Sequence, residues 1–469
     1  NTWSLRVIPQ RGISEAAVGF AVISRRTRGG WTHVRTPESN AESAVNPAAA
    51  ERPEDYRYLQ NLKRNHSHLS PPRRPPFPPP ARTCYAPLPH MTLPAILFWF
   101  CLLGVGYIYA GYPLLIGLLA RLRPRPVAKA DNSLTISVII SIYNEAPRLA
   151  PKIRSLLNDP QAHRINEILI GNDAGHDDPQ AALHDLHDPR IRLISFPERR
   201  GKPSVLNDLI PLATGDLLIM MDVRQRLDPQ ALTHLLANFS DPTIGVVSGE
   251  LIFEAADTDT SAAAGIDTYW RYEKWIRDRE GRFASVPGAT GALYAMRREL
   301  AQPLPPHAAL DDVLLPMRAI ASRYRCTFEP AAKIYDRPAQ DPAREAIRKR
   351  RTLAGCVQLL RFHPAWIFPG GHPIWWQFAS HKIARLFSPF LLLGALLLNL
   401  LLLPLHPIYP ILLAIHLLAL AIGTYGWLRP THRGRLAGLL AMFLAMQATL
   451  LRAWQDGLTQ PNLARWDKA

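Results

Sequence analysis

The sequence predicts an α/β domain with a mostly parallel sheet, attached to transmembrane helices, one before the domain and about three after it. Within residues 131–370, short apolar runs alternate with helix-like stretches, and this alternation is typical of a parallel sheet covered by helices on both faces. Apolar runs long enough to cross a bilayer crowd residues 93–120 and 385–455, because one span needs ~20 apolar residues. The segment between them contains no such run, so we expect it to lie outside the membrane.

The first 90 residues differ from the rest of the chain. They carry thirteen prolines, many of them in the stretch PPRRPPFPPP, and show no sustained helix or strand period. A segment of this composition cannot bury a core, and residues 1–90 are predicted to be disordered. The chain begins at Asn1, and Met91 directly precedes the first apolar run. Our hypothesis is that translation starts at Met91 and that the preceding residues come from an overextended reading frame. The alternative is a real disordered tail outside the cytoplasm.

Basic residues predict the orientation of the spans. Residues 93–120 form one predicted span and residues 385–455 form three. An interfacial helix is predicted at 372–384, where tryptophans and basic residues mix. Cytoplasmic loops are enriched in Lys and Arg, so the domain over 131–370 is predicted to be cytoplasmic in an integral protein of the cell (inner) membrane, with the tail 456–469 outside. The flanking basic residues are Arg121, Arg123, Arg125 and Lys129 after the first span and Arg429, Arg433 and Arg435 before the last.

Composition disfavours two other classes of protein. The formal net charge is +16, which in a soluble protein would point to nucleic acid. Many of the basic residues flank the apolar runs instead, so the lipid bilayer is the predicted partner and nucleic acid is not. The four cysteines form no C-x-x-C pair, so neither a zinc site nor a disulfide framework is predicted.

The elements of the domain alternate along the chain. Predicted strands are LTISVIIS, INEILIGND, IRLISF, DLLIMMD and IGVVSG. The helix-like stretches between them are RLAPKIRSLLND, PSVLNDLIPLAT and PQALTHLLANF. Polar side chains follow the first, second and fourth strands, and ligands of parallel sheets bind at this carboxyl edge. We therefore predict a ligand site that contains Tyr143, Asn144, Glu145, Asp173 and Asp222.

Seven motifs then make the chain recognisable. In chain order they are SVIISIYNEAPRL, ILIGNDAGHDD, RGKPSVLND, IMMDVRQRLDP, GATGALYAMRREL, LDDVLLPMR and IRKRRTLAGCVQLL. Over roughly residues 95–455 the chain resembles membrane-embedded family-two glycosyltransferases, and its motifs are similar to those of the processive synthases of cellulose, chitin, hyaluronan and poly-N-acetylglucosamine. The resemblance implies a GT-A-like nucleotide-sugar-binding domain, a UDP-sugar as donor and inverting transfer of the sugar.

The resemblance also implies which residues hold the donor. In this family the Tyr-Asn-Glu turn and the acid after the second strand hold the nucleoside, and these roles fall to Tyr143, Asn144, Glu145 and Asp173. An Asx turn is the alternative for Asp173. Lys202 matches the family's Gly-Lys motif near the nucleotide, with a solvated surface lysine as the alternative.

Inverting transfer requires a base that takes the proton of the acceptor hydroxyl as it attacks the anomeric carbon. The family supplies it from a Thr-Glu-Asp motif. In LDDVLL, Asp312 stands in the position of the base and Asp311 in that of the glutamate. A helix N-terminus at which two acids interact favourably with the helix dipole is an alternative compatible with this role.

Processive members carry Gln-x-x-Arg-Trp on a helix at the membrane surface, and both ends of the motif differ here. Arg344, Arg348 and Arg351 are spaced i, i+4, i+7, so they share one helical face and are predicted to present guanidinium groups to a diphosphate. A cationic face resting on lipid headgroups is the alternative. The missing tryptophan removes a usual sugar-stacking platform, which leaves open whether sugars are added processively.

The strand that precedes Asp222 raises the question of a metal. Many sugar transferases end this strand in Asp-x-Asp, whose second carboxylate grips a divalent cation, but here Arg224 has that position. We predict that Mg²⁺ or Mn²⁺ is bound by Asp222, the donor diphosphate and water. The alternative is that Arg224 neutralises the diphosphate and replaces part of the metal's work.

Three functions fit these residues. The first is inverting transfer of a sugar to a polysaccharide at the membrane, which the spans after the domain favour. The second is transfer of a single sugar to a lipid acceptor, which the altered Gln-x-x-Arg-Trp motif leaves open. The third is a non-catalytic membrane scaffold, which the separated acids at the predicted site disfavour.

Overall fold

A computed structural model describes residues 92–254, 261–337, 342–429, 434–460 and 462–464, together with two short strands near the amino terminus. The chain divides into two compact units, Asn1–Ala86 and Pro87–Ala469. In the first unit, β1 (Arg25–Thr27) and β2 (Gly30–Thr32) pair antiparallel. The rest of segment 1–90 lies outside the described residues. Its disorder and its origin in an overextended reading frame therefore stay predictions.

The second unit alternates strands and helices before ending in helices alone. Its strands are β3 (Ile136–Ile142), β4 (Ile165–Asn172), β5 (Ile191–Ser195), β6 (Leu217–Met221), β7 (Arg226–Leu227), β8 (Ile244–Phe253), β9 (Leu293–Arg297) and β10 (Arg325–Asp336). Its helices are α1 (Leu93–Leu122), α2 (Ala146–Leu157), α3 (Pro179–Ala182), α4 (Lys202–Leu209), α5 (Ala231–Ala237), α6 (Ser261–Phe283), α7 (Asp311–Ala321), α8 (Pro342–Phe362), α9 (Trp375–Leu402), α10 (Ile408–Leu428) and α11 (Arg435–Thr459).

The sheet has eight strands in the order β5-β4-β3-β6-β9-β8-β10-β7. Strand β3 pairs parallel with β4 and β6, β4 pairs parallel with β5, and β8 pairs parallel with β10. Strands β9 and β7 run antiparallel to their neighbours. The predicted mostly parallel sheet is confirmed, and the five strands identified in the sequence are β3, β4, β5, β6 and β8.

Two hydrophobic cores cover the two faces of the sheet, because successive side chains of a strand point to opposite faces. In β3, Ile139 belongs to the core under α4 and α7, whereas Val138 belongs to the core under α2 and α5. In β6, Leu218 and Leu217 divide in the same way. Strands buried on both faces read as continuous apolar runs, which is why the sequence shows them clearly.

Among the residues that the structure describes, four helices, α1, α9, α10 and α11, are long and apolar enough to cross a membrane, as predicted from the apolar runs. Helices α1 and α9 approach each other through small residues. A Cβ at Gly104 would lie 3.2 Å from Leu391, and a Cβ at Gly394 would lie 3.1 Å from the sulfur of Cys101. Close backbone approach through small residues is typical of helix pairs in membranes.

The predicted interfacial helix at 372–384 is not a separate element. Residues 375–383 are the first turns of α9 and continue without a break into the apolar part of that helix. Here His381 places Nδ1 2.9 Å from Glu280 and Nε2 3.0 Å from Glu273, both on α6. Buried acids need such partners, so this segment packs inside the protein.

The carboxyl end of α11 returns to the sheet domain. Asp456 forms an ion pair with Arg350 of α8, and Leu463 is buried in the core that contains α7. A Cβ at Gly201, before α4, would lie 3.1 Å from the carbonyl oxygen of Ala464. These contacts place Asp456, Leu463 and Ala464 against the sheet domain, which argues against the predicted position of the tail 456–469 across the membrane. The membrane topology itself stays a prediction. The prediction rested on the apolar runs and on the basic residues that flank them, and neither pattern indicates what the end of α11 packs against.

Candidate active site

A cavity of about 2060 Å³ opens at the carboxyl edge of the sheet and extends to α9 and α11. Thirteen Lys or Arg side chains line it against eight Asp or Glu, an excess that favours an anionic ligand. The structure brings the predicted site residues together around this cavity, although they are far apart in the sequence. They are Tyr143, Asn144, Glu145, Asp173, Lys202, Asp222, Arg224, Asp311, Asp312, Arg348 and Arg351.

The turn after β3 begins the cavity wall. The guanidinium carbon of Arg199 lies 4.1 Å from the centroid of the Tyr143 ring, over its face. Asn144 has a φ of 51°, a left-handed conformation that Asn adopts more readily than most residues. Its Oδ1 accepts a hydrogen bond from the backbone N–H of His176 at 2.7 Å. Asn144 therefore ties this turn to the loop after β4.

Two acids shape the neighbouring loops. Glu145 stands directly before α2 and forms an ion pair within the first turn of that helix at 3.3 Å. Asp173 is 4 % exposed and accepts hydrogen bonds from the backbone N–H groups of Arg200 at 2.7 Å and Gly201 at 2.8 Å. These bonds cross from one loop to another, so they are not the local Asx turn of the alternative. They fix the loop that presents Lys202.

Lys202 links two carboxylates across the cavity. Its Nζ lies 3.3 Å from Asp222 Oδ1 and 3.4 Å from Asp311 Oδ2. Burial works to lower the pKa of Lys202, but the charges of Asp311, Asp222 and Asp312 raise it above its usual value. Burial likewise works to raise the pKa of Asp222, but Lys202 and Arg224 hold it below its usual value. Lys202 is thus a charged member of the site and not a solvated surface lysine.

Asp312 lies in the first turn of α7, against the loop GATG that precedes β9. Burial, together with the charge of Asp311, raises the pKa of Asp312 to about 6. The backbone N–H of Ala289 donates to the Asp312 carbonyl oxygen at 2.7 Å. A Cβ at Gly291 would lie only 2.9 Å from Asp312 Oδ2. A carboxyl group held in this way, with a pKa near neutrality, is suited to general base catalysis.

Arg224 is held by an acid that sequence reasoning missed. Its Nη2 donates to Asp336 Oδ2 at 2.5 Å, and Arg348 Nη1 lies 3.8 Å from the same oxygen. Asp336 ends β10, so the available signal was an acid at the carboxyl end of a strand, as at Asp222. The sequence of β10, RCTFEPAAKIYD, contains a proline and polar residues and does not read as a buried strand.

Two helices, α8 and α9, complete the site. On α8, Arg348 and Arg351 both line the cavity, as their spacing predicts, while the side chain of Arg344 lies outside the described residues. From α9, Lys382 also lines the cavity, and its charge opposes the rise in the pKa of Asp312. The mix of tryptophans and basic residues around Lys382 indicated an interfacial role for it. Nothing in the sequence links this lysine, which stands beside an apolar run, to the distant carboxylate of Asp312.

Asp222 is the carboxylate predicted to bind a divalent metal. Within the part of the chain that the structure describes, no group of three or more His, Cys, Asp and Glu side chains could hold a metal ion. Asp222 lines the cavity with a side chain that is 41 % exposed. Because Mg²⁺ commonly takes its other ligands from substrate phosphates and water, the residues fit a site that the donor completes. Metal binding at Asp222 stays a prediction.

Comparisons with known proteins agree with this arrangement. Residues 137–304 match the model of the family described as glycosyl transferase family 2. An N-acetylglucosaminyltransferase of Rhizobium sp. (strain N33) is 29 % identical over 186 residues, which cover 37 % of this chain and 41 % of that protein. A poly-β-1,6-N-acetyl-D-glucosamine synthase of Staphylococcus aureus (strain COL) is 25 % identical over 130 residues, which cover 27 % of this chain and 31 % of that protein. The matches thus span less than half the length of these relatives.

A solved structure extends the likeness in the fold. The mannosyltransferase PcManGT from Pyrobaculum calidifontis, in complex with GDP-Man and Mn²⁺, matches with a TM-score of 0.59 at 21 % sequence identity. The match covers 78 % of this chain and 100 % of that chain. Residues 137–304 therefore match the glycosyl transferase family 2 model, and the sheet domain has a GT-A-like fold. Four apolar helices within the described ranges are long enough to cross a membrane.

Proposed function

We propose that this chain is an inverting glycosyltransferase that moves a sugar from a UDP-sugar to an acceptor hydroxyl at the membrane. The observation that carries the proposal is the position of Asp312, a carboxyl group with a pKa of about 6, in one cavity with the cations around Lys202. A base for the acceptor and positive charge for the leaving diphosphate are the two requirements of this displacement.

The reaction assigns a task to each side of the cavity. Asp312 takes the proton of the acceptor hydroxyl while the oxygen bonds to the anomeric carbon and the bond to the diphosphate breaks. Attack from the face opposite the leaving group inverts the configuration. Lys202 and Arg351 stabilise the negative charge that develops on the diphosphate. A divalent cation at Asp222 adds positive charge beside the phosphates when it is bound.

The other end of the cavity suits the nucleoside. The Tyr143 ring, with Arg199 over its face, offers a planar surface for a base. Asn144 and Asp173 hold the loops on either side through backbone hydrogen bonds. We assign the nucleoside of the donor to this end, with Glu145 at its rim.

For the acceptor, a polysaccharide at the cytoplasmic face of the cell membrane is our first candidate. The relatives support it, since they include an N-acetylglucosaminyltransferase and a poly-β-1,6-N-acetyl-D-glucosamine synthase. N-acetylglucosamine is accordingly the first sugar to test.

A lipid acceptor is the second candidate, and one observation favours it. Where the cavity reaches α11, its wall is apolar, with the side chains of Leu439, Leu440, Met442, Phe443 and Met446. Such a wall suits a hydrocarbon chain better than a neutral glycan, which is usually bound by polar and aromatic groups.

A transfer assay tests the proposal. Purified protein in lipid nanodiscs receives radiolabelled UDP-sugars one at a time, with and without added lipid extract, and the Asp312→Asn variant serves as the matched control. We expect one donor to label a product in the wild type and not in the variant. A ladder of lengths supports the polysaccharide, and one lipid-extractable product of fixed size supports the lipid. Equal labelling by the variant, or none from any donor, would contradict the proposal.

A further inference from the structure

Arg224 is held by the carboxylate of Asp336, which Arg348 also approaches. Asp336, at the end of β10, accepts its hydrogen bond at 2.5 Å, and Arg348 on α8 approaches the same carboxylate oxygen to 3.8 Å. The Asp336 side chain is 4 % exposed, whereas those of Arg224 and Arg348 are 33 % and 37 % exposed and line the cavity. A buried carboxylate thus holds two guanidinium groups at the cavity wall. We call these three residues the arginine fork.

The backbone beneath the fork is held as well. Lys152 of α2 is 4 % exposed and donates to the carbonyl oxygen of Gln225. Gln225 in turn places Nε2 3.3 Å from Asp336 Oδ2. Contacts from α2 and β10 therefore restrict the loop after β6 before any ligand arrives. Groups that are already oriented lose little freedom on binding, so more of their interaction appears as affinity.

The charge balance of the fork differs from that of its neighbour. Lys202 carries one positive charge between two carboxylates, Asp222 and Asp311. In the fork, the guanidinium groups of Arg224 and Arg348 both approach the one carboxylate of Asp336. Guanidinium groups bind phosphate oxygens in a planar, two-bond geometry that a lysine does not offer.

We propose that the arginine fork binds one phosphate of the donor's diphosphate, so that the nucleoside diphosphate binds tightly without a divalent cation. The inference rests on the proposed function, in which this diphosphate is the leaving group. A cation at Asp222 then serves the transfer step and is not needed for nucleotide binding. The competing explanation is that Arg224 only pins β10 to the loop after β6.

Calorimetric titration of the full chain with UDP and with uridine, in EDTA, separates these explanations. Uridine lacks the diphosphate, so the ratio of the two affinities measures the part of binding that the diphosphate supplies. The change of this ratio in the fork variants gives the share that depends on the fork. We expect Arg224→Met to weaken UDP about 10- to 100-fold, the range for losing a hydrogen bond to a charged group, and to leave uridine unchanged. Arg348→Met should act in the same direction, and Arg224→Lys should recover only part of the loss.

Arg282→Met is the matched control, because Arg282 lies outside the cavity lining and pairs with Asp278 at 3.0 Å on α6. This control should bind UDP like the wild type. The proposal is overturned if wild-type protein in EDTA binds UDP no more tightly than uridine. It is also overturned if Arg224→Met, folded by its thermal unfolding curve, keeps the wild-type preference for UDP. Should Arg224→Met not fold, Arg348→Met and Arg224→Lys carry the same two outcomes.

The binding and transfer measurements together distinguish a failure of the fork proposal from a failure of the proposed transfer reaction. Metal-free UDP binding that depends on Arg224, in a protein that transfers no sugar from any donor, would support the fork and contradict the transfer reaction. Sugar transfer with UDP affinity that is insensitive to Arg224 would do the reverse.

Discussion

Among single residues, Asp312 combines a raised pKa with a position in the cavity wall. Burial and the adjacent charge of Asp311 raise its pKa to about 6, so holding it ionised at neutral pH costs folding free energy. Perturbed carboxyl groups in a cleft are typical of functional sites. In the proposed reaction, the same raised pKa makes Asp312 a base that titrates near neutral pH.

Asp312→Asn should abolish transfer while leaving nucleotide affinity intact. The amide keeps the shape of the side chain but cannot take a proton, and loss of a general base typically costs ~10²- to 10⁴-fold in rate. Single-turnover transfer and UDP titration on the same preparation check both halves. Wild-type turnover in the variant would remove Asp312 from the role of base.

The raised pKa also predicts two pH dependences. The transfer rate should fall as the pH drops through about 6, because the carboxylate becomes protonated. The pKa of Asp312 is about 6 in the folded chain and ~3.9 in the unfolded chain. Folding therefore favours the protonated acid, and the protein loses stability as the pH rises from ~3.9 to about 6. Asp312→Asn should therefore raise Tm at pH 8 relative to the wild type, and much less at pH 4. Equal shifts in Tm at the two pH values would argue against a raised pKa.

Gly291→Ala should slow transfer without weakening UDP binding. Its Cβ would lie 2.9 Å from Asp312 Oδ2, closer than a carbon tolerates, so the carboxylate must move. We expect a lower kcat, with Gly106→Ala as the control because a Cβ at Gly106 meets nothing within 4 Å. Unchanged kcat in Gly291→Ala would mean that the position of the carboxylate is not critical.

At the scale of helices and strands, the sequence predicted the elements that are fully buried and missed one that is half-buried. Strands buried on both faces, such as β3 and β6, are continuous apolar runs and were predicted. Strand β10 is half-buried and interrupted by Pro330, so both the strand and its terminal acid Asp336 were missed. Helix α11 was identified, but its end contacts the domain through an ion pair between Arg350 and Asp456. These residues are 106 positions apart, so no local pattern contains the contact.

Helix α11 gives the prediction that belongs to this scale. A reporter fused after Ala469 should lie on the same side of the membrane as an epitope inserted at His184, an exposed residue of the domain. The reason is that Asp456 and Leu463 both pack against that domain. Protease protection in oriented vesicles makes the comparison. Reporters on opposite sides would support the prediction from the apolar runs and basic residues that the tail lies across the membrane from the domain.

The whole molecule joins the sheet domain to its apolar helices through buried polar contacts and one cavity. His381 of α9 bridges Glu273 and Glu280 of α6, and the cavity runs from the turn at Tyr143 to Phe443 of α11. The sequence predicted the domain, the four apolar helices and the residues around the cavity, because each motif is local. It did not predict which cations pair with which acids, since those partners meet only in the folded chain.

The stereochemistry of the product tests the proposed function most directly. In UDP-sugars such as UDP-N-acetylglucosamine the sugar is α-linked, and a single displacement with Asp312 as base inverts that centre. Proton NMR of the product should therefore show a β-linked sugar, made by the wild type and absent from Asp312→Asn. An α-linked product would contradict the single displacement and the role of Asp312 in it.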